Sequence, residues 1–118
     1  MAKEITASAN LRFSKGGASS NLVAGPVQID MAGTKYAQGV QAVGIADEVV
    51  NQGDVVTPGM ILAMNLDATN YVELGVDGTN YSQKIDPGQC ALFRNNGAAV
   101  HAKANTAPVN LQYLIIEN

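Results

Sequence analysis

The sequence predicts an all-β fold, an antiparallel β-sandwich or jelly-roll-like barrel of about eight or nine strands. Two observations predict it. Glycines and prolines in turn-like contexts recur along the whole chain, and the segments between them are mostly too short for stable helices but normal for strands. Within several segments apolar and polar residues alternate with a period of two, which places the apolar side chains on one face of a strand.

The second half of the chain shows these signals best. Asp77-Gly78 predicts a tight hairpin turn, since both residue types tolerate positive φ. Asp86-Pro87-Gly88 and Asn95-Asn96-Gly97 predict the next two turns. The last segment begins with alternation and ends fully apolar, which indicates a core strand whose end is covered on both sides. The predicted antiparallel strands are 60–66, 71–76, 80–85, 89–94, 98–104 and 109–117.

The first half gives weaker signals. Residues 4–13 alternate weakly, residues 18–24 fit a strand or a loop, and Val27-Gln28-Ile29-Asp30-Met31 alternates as a half-buried strand does. Apolar residues in 34–45 have mixed spacing, and a short helix over 46–50 is an alternative to a strand.

The length of 118 residues predicts one β domain over residues 1–118. Residues 1–20 contain few large apolar side chains and include Gly16-Gly17 and Ser19-Ser20. We expect them to form an N-terminal arm that becomes ordered on a neighbour.

Composition limits the functional classes. Charged residues make up 14 % of the chain, the formal net charge is −3, and the seven basic residues are scattered. Nucleic-acid binding is disfavoured, because affinity for a polyanion depends on clustered Lys and Arg. The sequence has no apolar run of the length that crosses a membrane and no apolar signal segment at its start. We expect synthesis in a cytoplasm and no nucleic acid or membrane as partner.

Metal ligands are scarce. The chain has one histidine, His101, and one cysteine, Cys90, whereas a structural zinc site needs four such ligands. Alternation places His101 on the polar face of its strand as a surface imidazole, and the apolar run 89–93 predicts that Cys90 is a small buried residue. The loop 65–70 offers oxygens to Ca²⁺, but Asx-rich loops usually bond their own backbone. We predict no metal and no cofactor.

Catalytic motifs are equally scarce. The sequence has no Gly-x-Ser-x-Gly motif. Asp47-Glu48 predicts a solvated pair and not an acid–base couple, and Lys15-Gly16-Gly17 predicts a turn because it lacks the residue order of a phosphate-binding loop. A catalytic triad would have to combine the single histidine with serines from the N-terminal stretch: Ser14, Ser19 and Ser20. We predict no catalytic residues and no enzymatic activity.

The positive signals concern assembly. The core lacks Trp, charges are few, side chains are small and the final strand is long and apolar. These features are typical of a subunit that buries extra surface against copies of itself or a host lattice.

Several phrases along the whole chain carry a resemblance to a known group. They are Met1-Ala2-Lys3-Glu4-Ile5-Thr6, Ser14-Lys15-Gly16, Gly59 with Asn65-Leu66-Asp67-Ala68-Thr69-Asn70-Tyr71-Val72-Glu73, Asp86-Pro87-Gly88-Gln89 with Leu92-Phe93-Arg94, Ala102-Lys103-Ala104-Asn105-Thr106-Ala107, and Leu111-Gln112-Tyr113-Leu114-Ile115-Ile116-Glu117. In these phrases the chain resembles small virion structural proteins of tailed bacteriophages, least closely over 22–50. The resemblance implies a virion component.

Among virion components, a head decoration (cement) protein fits best, because the chain is small, is not fibrous in pattern and has no receptor-binding aromatic cluster. Such a subunit, for example a trimer, would bind itself and the major capsid protein and bridge coat subunits against the pressure of packaged DNA. A neck, tail or fibre-associated module is the alternative within the virion. A lectin-like module that binds host-surface glycans is the alternative outside this class, with Tyr71 and Tyr81 as its aromatic platform. The position of these two residues on either side of a predicted hairpin favours ordinary cross-strand packing instead.

Overall fold

The computed structural model describes residues 3–117, so Met1, Ala2 and Asn118 of the predicted domain lie outside the described residues. Within that range the chain forms ten strands and no helix, which confirms the predicted all-β fold. The strands are grouped into two units, Met1–Ala32 and Gly33–Asn118.

The first unit is a long β-hairpin. Strand β1 (Ile5–Lys15) pairs antiparallel with β2 (Ala18–Ile29). Gly16 and Gly17 connect them with φ angles of 58° and 86°, as the predicted turn requires. At the open end, the backbone N–H of Met31 donates to the Glu4 carboxylate over 2.9 Å and fixes the base of the hairpin.

A β-bulge explains why the sequence signal of β2 was split into 18–24 and 27–31. Ala7 lies opposite Val27 but Ala9 lies opposite Ala24, so Gly25 and Pro26 together face one residue of β1. The extra residue shifts the alternation by one position, and the apolar residues before and after it therefore point to the same face.

The second unit is a sandwich of two antiparallel four-stranded sheets, as predicted. The first sheet has the order β3 (Tyr36–Val43), β10 (Val109–Glu117), β5 (Pro58–Asn65) and β8 (Cys90–Arg94). The second sheet has the order β4 (Glu48–Val49), β9 (His101–Ala104), β6 (Val72–Gly75) and β7 (Gln83–Ile85). Alternate residues of both sheets fill the core between them, led by the fully buried side chains Leu74, Ile85, Leu111, Ile115 and Val43.

Two predicted hairpins are wrong in their pairing. Asp86-Pro87-Gly88 and Asn95-Asn96-Gly97 do reverse the chain, but each connects strands of different sheets. The strand β8 pairs with β5, and β9 pairs with β4 and β6. A turn signal fixes where the chain reverses, whereas burial of the apolar faces decides which strand it joins.

The prediction of a tight hairpin turn at Asp77-Gly78 is also wrong, although β6 and β7 pair antiparallel as predicted. The connection spans 76–82, and Gly78 is not among the glycines with positive φ. The Asp77 carboxylate instead accepts the backbone N–H groups of Thr79 and Asn80 over 2.8 and 2.7 Å. This Asx-type turn uses the aspartate side chain in place of a two-residue hairpin turn.

The alternative of a helix over 46–50 is excluded, because Glu48–Val49 forms strand β4. The Glu48 carboxylate accepts the N–H of Gly44 over 2.9 Å and the side-chain amide of Gln41 over 2.8 Å, which holds this short strand in place. The prediction that the apolar end of β10 is covered on both sides is wrong. Leu114 and Ile116 are only half-buried there, and Ile115 alone is fully buried.

Candidate functional site

The outer face of the first sheet is almost free of charge. Its strands alternate, so every second residue points away from the core. We call this outward set the apolar face: Tyr36, Gln38, Val40, Ala42, Met60, Leu62, Met64, Cys90, Leu92, Arg94, Asn110, Gln112, Leu114 and Ile116. Of these described residues, Arg94 alone carries a charge.

The register makes the apolar residues of this face contiguous. Leu114, Leu62 and Leu92 lie opposite one another across β10, β5 and β8. The exposed fraction is 38 % for both Leu62 and Leu92, and it reaches 65 % for Tyr36 at the edge. Single exposed leucines are ordinary, but a contiguous exposed set marks a surface that binds another molecule.

The outer face of the second sheet has the opposite character. Glu73 lies between Lys84 and Lys103 in the register, so charges of opposite sign face each other across three strands. Lys84 Nζ also lies 3.4 Å from the Asp86 carboxylate. We call this surface the charged face, and its polar groups suit contact with water.

The predicted aromatic platform lies beside this charged face. Lys84 Nζ lies 4.5 Å from the centroid of the Tyr71 ring, and Lys103 Nζ lies 4.5 Å from that of Tyr81. Both rings are half-buried. Each ring therefore has a lysine ammonium group over one of its faces, where a sugar would otherwise stack.

A cluster of Asp47, Tyr81 and His101 lies at the edge of the charged face. The Tyr81 hydroxyl donates to Oδ1 of Asp47, and His101 Nδ1 lies 3.0 Å from Oδ2. The Tyr81 hydrogen bond first, and that of His101 second, hold the pKa of Asp47 below its usual range. Burial first, and the hydrogen bond to Asp47 second, raise the pKa of Tyr81 to about 12.

Asp47 is exposed, and the carboxylates of Asp47 and Glu48 bind different groups, so the two acids do not act on one another as an acid–base couple. His101 points outward as predicted but is half-buried against Asp47. The serines proposed as its catalytic partners belong to the hairpin unit, around its turn, and are exposed. The cluster therefore acts as a brace that joins the loop before β4, the loop 76–82 and β9.

The candidate calcium loop bonds its own backbone, as predicted. The Asp67 carboxylate accepts the N–H groups of Thr69 and Asn70 over 2.9 and 2.6 Å, and these bonds lower its pKa. The buried Asn65 amide donates to the carbonyls of Asn70 and Ile85 over 2.9 Å. Across residues 3–117 the structure brings together no group of three or more His, Cys, Asp or Glu side chains that could hold a metal ion.

Cys90 is exposed, which contradicts the prediction of a buried residue. It lies at the start of β8, an edge strand, where Ala91 and Phe93 point toward the core. Only the inward face of the apolar run 89–93 is covered, so the run does not bury Cys90. Cys90 consequently belongs to the apolar face, opposite Met64.

The hairpin unit carries a second exposed apolar surface. Because of the bulge, one face of the hairpin collects apolar side chains from both strands, and we call it the hairpin stripe: Ile5, Ala7, Ala9, Leu11, Phe13, Leu22, Ala24, Val27 and Ile29. The directly opposed Leu11 and Leu22 are 77 % and 71 % exposed. The opposite face carries mainly polar residues, such as the opposed pair Arg12 and Asn21.

One cavity in the sandwich unit has a volume of about 120 Å³. Its lining joins apolar residues to polar residues in and next to β7 and β8: Leu74, Gly75, Val76, Ser82, Gln83, Phe93, Arg94, Asn95 and Val100. This lining offers no carboxylate, imidazole or thiol for general acid–base or nucleophilic chemistry.

No protein-family model matches this chain, and no curated protein sequence matches it. Within residues 3–117 there is no helix that is long and apolar enough to cross a membrane.

Proposed function

We propose that this chain is a non-enzymatic virion structural protein of a tailed bacteriophage, a capsid decoration (cement) protein that stabilises the head by bridging coat subunits. The observation that supports this most directly is the apolar face, fourteen described outward side chains of which one is charged. The sequence segments that resemble virion proteins of tailed bacteriophages support a phage head as the particle.

The apolar face suits burial against a neighbour in the particle. Four strands about 4.8 Å apart and about 24 Å long present roughly 450 Å². Ten of the fourteen side chains are apolar, so about 320 Å² of this area is apolar, and at about 25 cal/mol per Å² its burial gains roughly 8 kcal/mol before the costs of association are subtracted. Repetition of such a contact over a shell adds many contributions of this kind and resists internal pressure.

The two outer faces of the sandwich give the subunit a polarity. The charged face pairs Glu73 with Lys84 and Lys103 and suits solvent, while the apolar face suits a protein neighbour. A one-sided subunit of this kind can coat a particle without adding a second layer, because its exposed surface does not attract further copies.

A neck or tail module is the second candidate, and the hairpin supports it. Strands of 11 and 12 residues form an arm that is long enough to link neighbours around a ring. The lectin-like candidate gains no such support, because Tyr71 and Tyr81 are each covered by a lysine.

The test is binding of purified protein to phage heads that lack decoration and to isolated tails, measured by co-sedimentation and by the temperature at which heads release DNA. We expect binding to heads and a higher release temperature. The double variant L62N/L92N, which changes a directly opposed pair on the apolar face, should lose binding. The matched variant E73Q/K84Q, an opposed pair on the charged face, should keep it.

Binding to tails but not to heads would move the protein to the second candidate. Binding to neither, or equal binding by both double variants, would overturn the proposed role of the apolar face. A glycan array tests the lectin-like alternative, and we expect no signal from it.

A further inference from the structure

The hairpin stripe is exposed over most of its length, although Ile5 at the open end of the hairpin is buried. A two-stranded sheet in water is marginally stable by itself and needs further strands or packing against another surface. Here Leu11 and Leu22 form an opposed pair in the exposed hairpin stripe, with Phe13 as the next stripe residue of β1. Strands of this length therefore require a partner surface that is apolar and flat.

The apolar face of the sandwich has the properties that such a partner needs. It is a β-sheet surface, its residues are contiguous in register, and neither it nor the hairpin stripe contains a carboxylate. Apart from Arg94 the named residues of the two surfaces are uncharged, and such sheet surfaces can pack about 10 Å apart with interleaved side chains. A strongly charged partner would find little complementary charge on either surface.

We propose that the hairpin of one copy lies on the apolar face of a second copy, with the hairpin stripe against the sheet. This inference rests on the proposed function, since it names the neighbour that covers the same apolar face. The two surfaces differ, so the contact is heterologous, and we propose that its rotation closes repeated contacts into a ring and not into an open filament. The ring then bears on the coat, where its several contacts act together.

The areas show what each contact contributes. A hairpin with strands of 11 residues is about 37 Å long and about 10 Å wide, so its stripe presents at most roughly 350 Å². One stripe on one apolar face of roughly 450 Å² therefore buries about 800 Å² counted over both partners, about half of a standard interface, so the assembly depends on each copy making two such contacts. Contact between two apolar faces would bury a similar area, roughly 900 Å², but would leave every hairpin stripe exposed.

A mixing experiment tests the proposal. L11N/L22N changes the opposed pair in the hairpin stripe, and L62N/L92N changes the opposed pair on the apolar face. Each variant alone should have the mass of one chain by light scattering, while the wild-type protein forms a closed oligomer. An equal mixture should form a dimer of one copy of each, because one intact hairpin stripe and one intact apolar face remain.

The control R12Q/N21S changes the opposed pair on the polar face of the same hairpin and should keep the oligomer. All substitutions are at surface positions, and amide spectra of the sandwich verify folding. Cys90, the single cysteine and part of the apolar face, offers a second readout. Oxidation of the F13C variant should give covalent dimers, and S14C, one residue away on the other hairpin face, should give few.

Three results would overturn the inference: a monomeric wild-type protein, an oligomeric L11N/L22N variant, or a mixture that stays monomeric. An oligomeric L11N/L22N variant would indicate contact between two apolar faces. A monomeric wild-type protein that still binds heads through the apolar face would keep the proposed function and assign that face to the coat protein.

Discussion

The hydroxyl of Tyr81 donates a hydrogen bond to the carboxylate of Asp47, 34 positions earlier in the chain, and His101 Nδ1 lies 3.0 Å from the other carboxylate oxygen. The three residues tie the loop before β4 and the loop 76–82 to β9. Two of the three groups have shifted pKa values, which makes the brace measurable by titration.

At low pH the brace should weaken. The pKa of Asp47 in the folded protein is held below its usual 3.8, first by the Tyr81 hydroxyl and then by His101. Its stabilising contribution is therefore present above the unfolded-state pKa and is lost as the pH falls through the folded-state pKa. In Y81F the pKa of Asp47 should rise toward its usual value, as measured by carboxyl carbon chemical shifts. Y71F, which changes a ring outside the cluster, should leave it unchanged.

At high pH the hydrogen bond between Tyr81 and Asp47 should also weaken, because the Tyr81 hydroxyl loses its proton. Burial and then Asp47 raise the pKa of Tyr81 from 10.0 to about 12. A raised folded-state pKa means that the contribution is complete below pH 10 and decreases as the pH rises toward 12. D47N should lower the pKa of Tyr81 in a tyrosinate absorbance titration. An unchanged value would show that Asp47 does not contribute to the shift in the pKa of Tyr81.

Replacement of the buried Asn65 should destabilise the sandwich. Its amide donates to the carbonyls of Asn70 and Ile85, and its Oδ1 accepts the N–H of Asp67 over 2.8 Å. N65L removes all three bonds and leaves backbone groups unpaired, so we expect a loss of about 3 kcal/mol in the free energy of unfolding. Urea denaturation measures it. The exposed N110A should change the free energy by less than about 0.5 kcal/mol.

The bulge at Gly25 should be sensitive to substitution. Gly25 has a φ of +91°, and a Cβ there would lie 2.6 Å from the Ala7 carbonyl oxygen. G25A should cost about 1–3 kcal/mol locally and speed amide exchange in β1 and β2. G16N, at a φ of 58° that Asn tolerates, should have little effect. Equal exchange rates in both variants would show that the bulge does not hold the register.

Local patterns predicted the strands that have one covered face. The last strand matches its predicted bounds of 109–117, because Val109, Leu111 and Tyr113 alternate with polar residues and all point into the core. The turns at 86–88 and 95–97 were also located correctly. Their partners were not, since sheet membership depends on contacts between strands that are distant in sequence.

Other features had no local signal that sequence reasoning could use. The brace brings His101 to Asp47 from 54 positions away, and no spacing rule links them. The exposure of Cys90 depends on β8 being an edge strand with nothing on its outer side. The apolar face itself was visible only as a low charge content, because the register of four strands is needed to join its residues.

The position of β10 also determines when the first sheet can form. In the first sheet β3 pairs with β10, and β10 separates β3 from β5. A ribosome makes β10 after all the other described strands, so the nascent chain holds β3 unpaired until translation passes residue 109. The apolar face is therefore complete only once β10 has joined the sandwich, so a growing polypeptide does not present it.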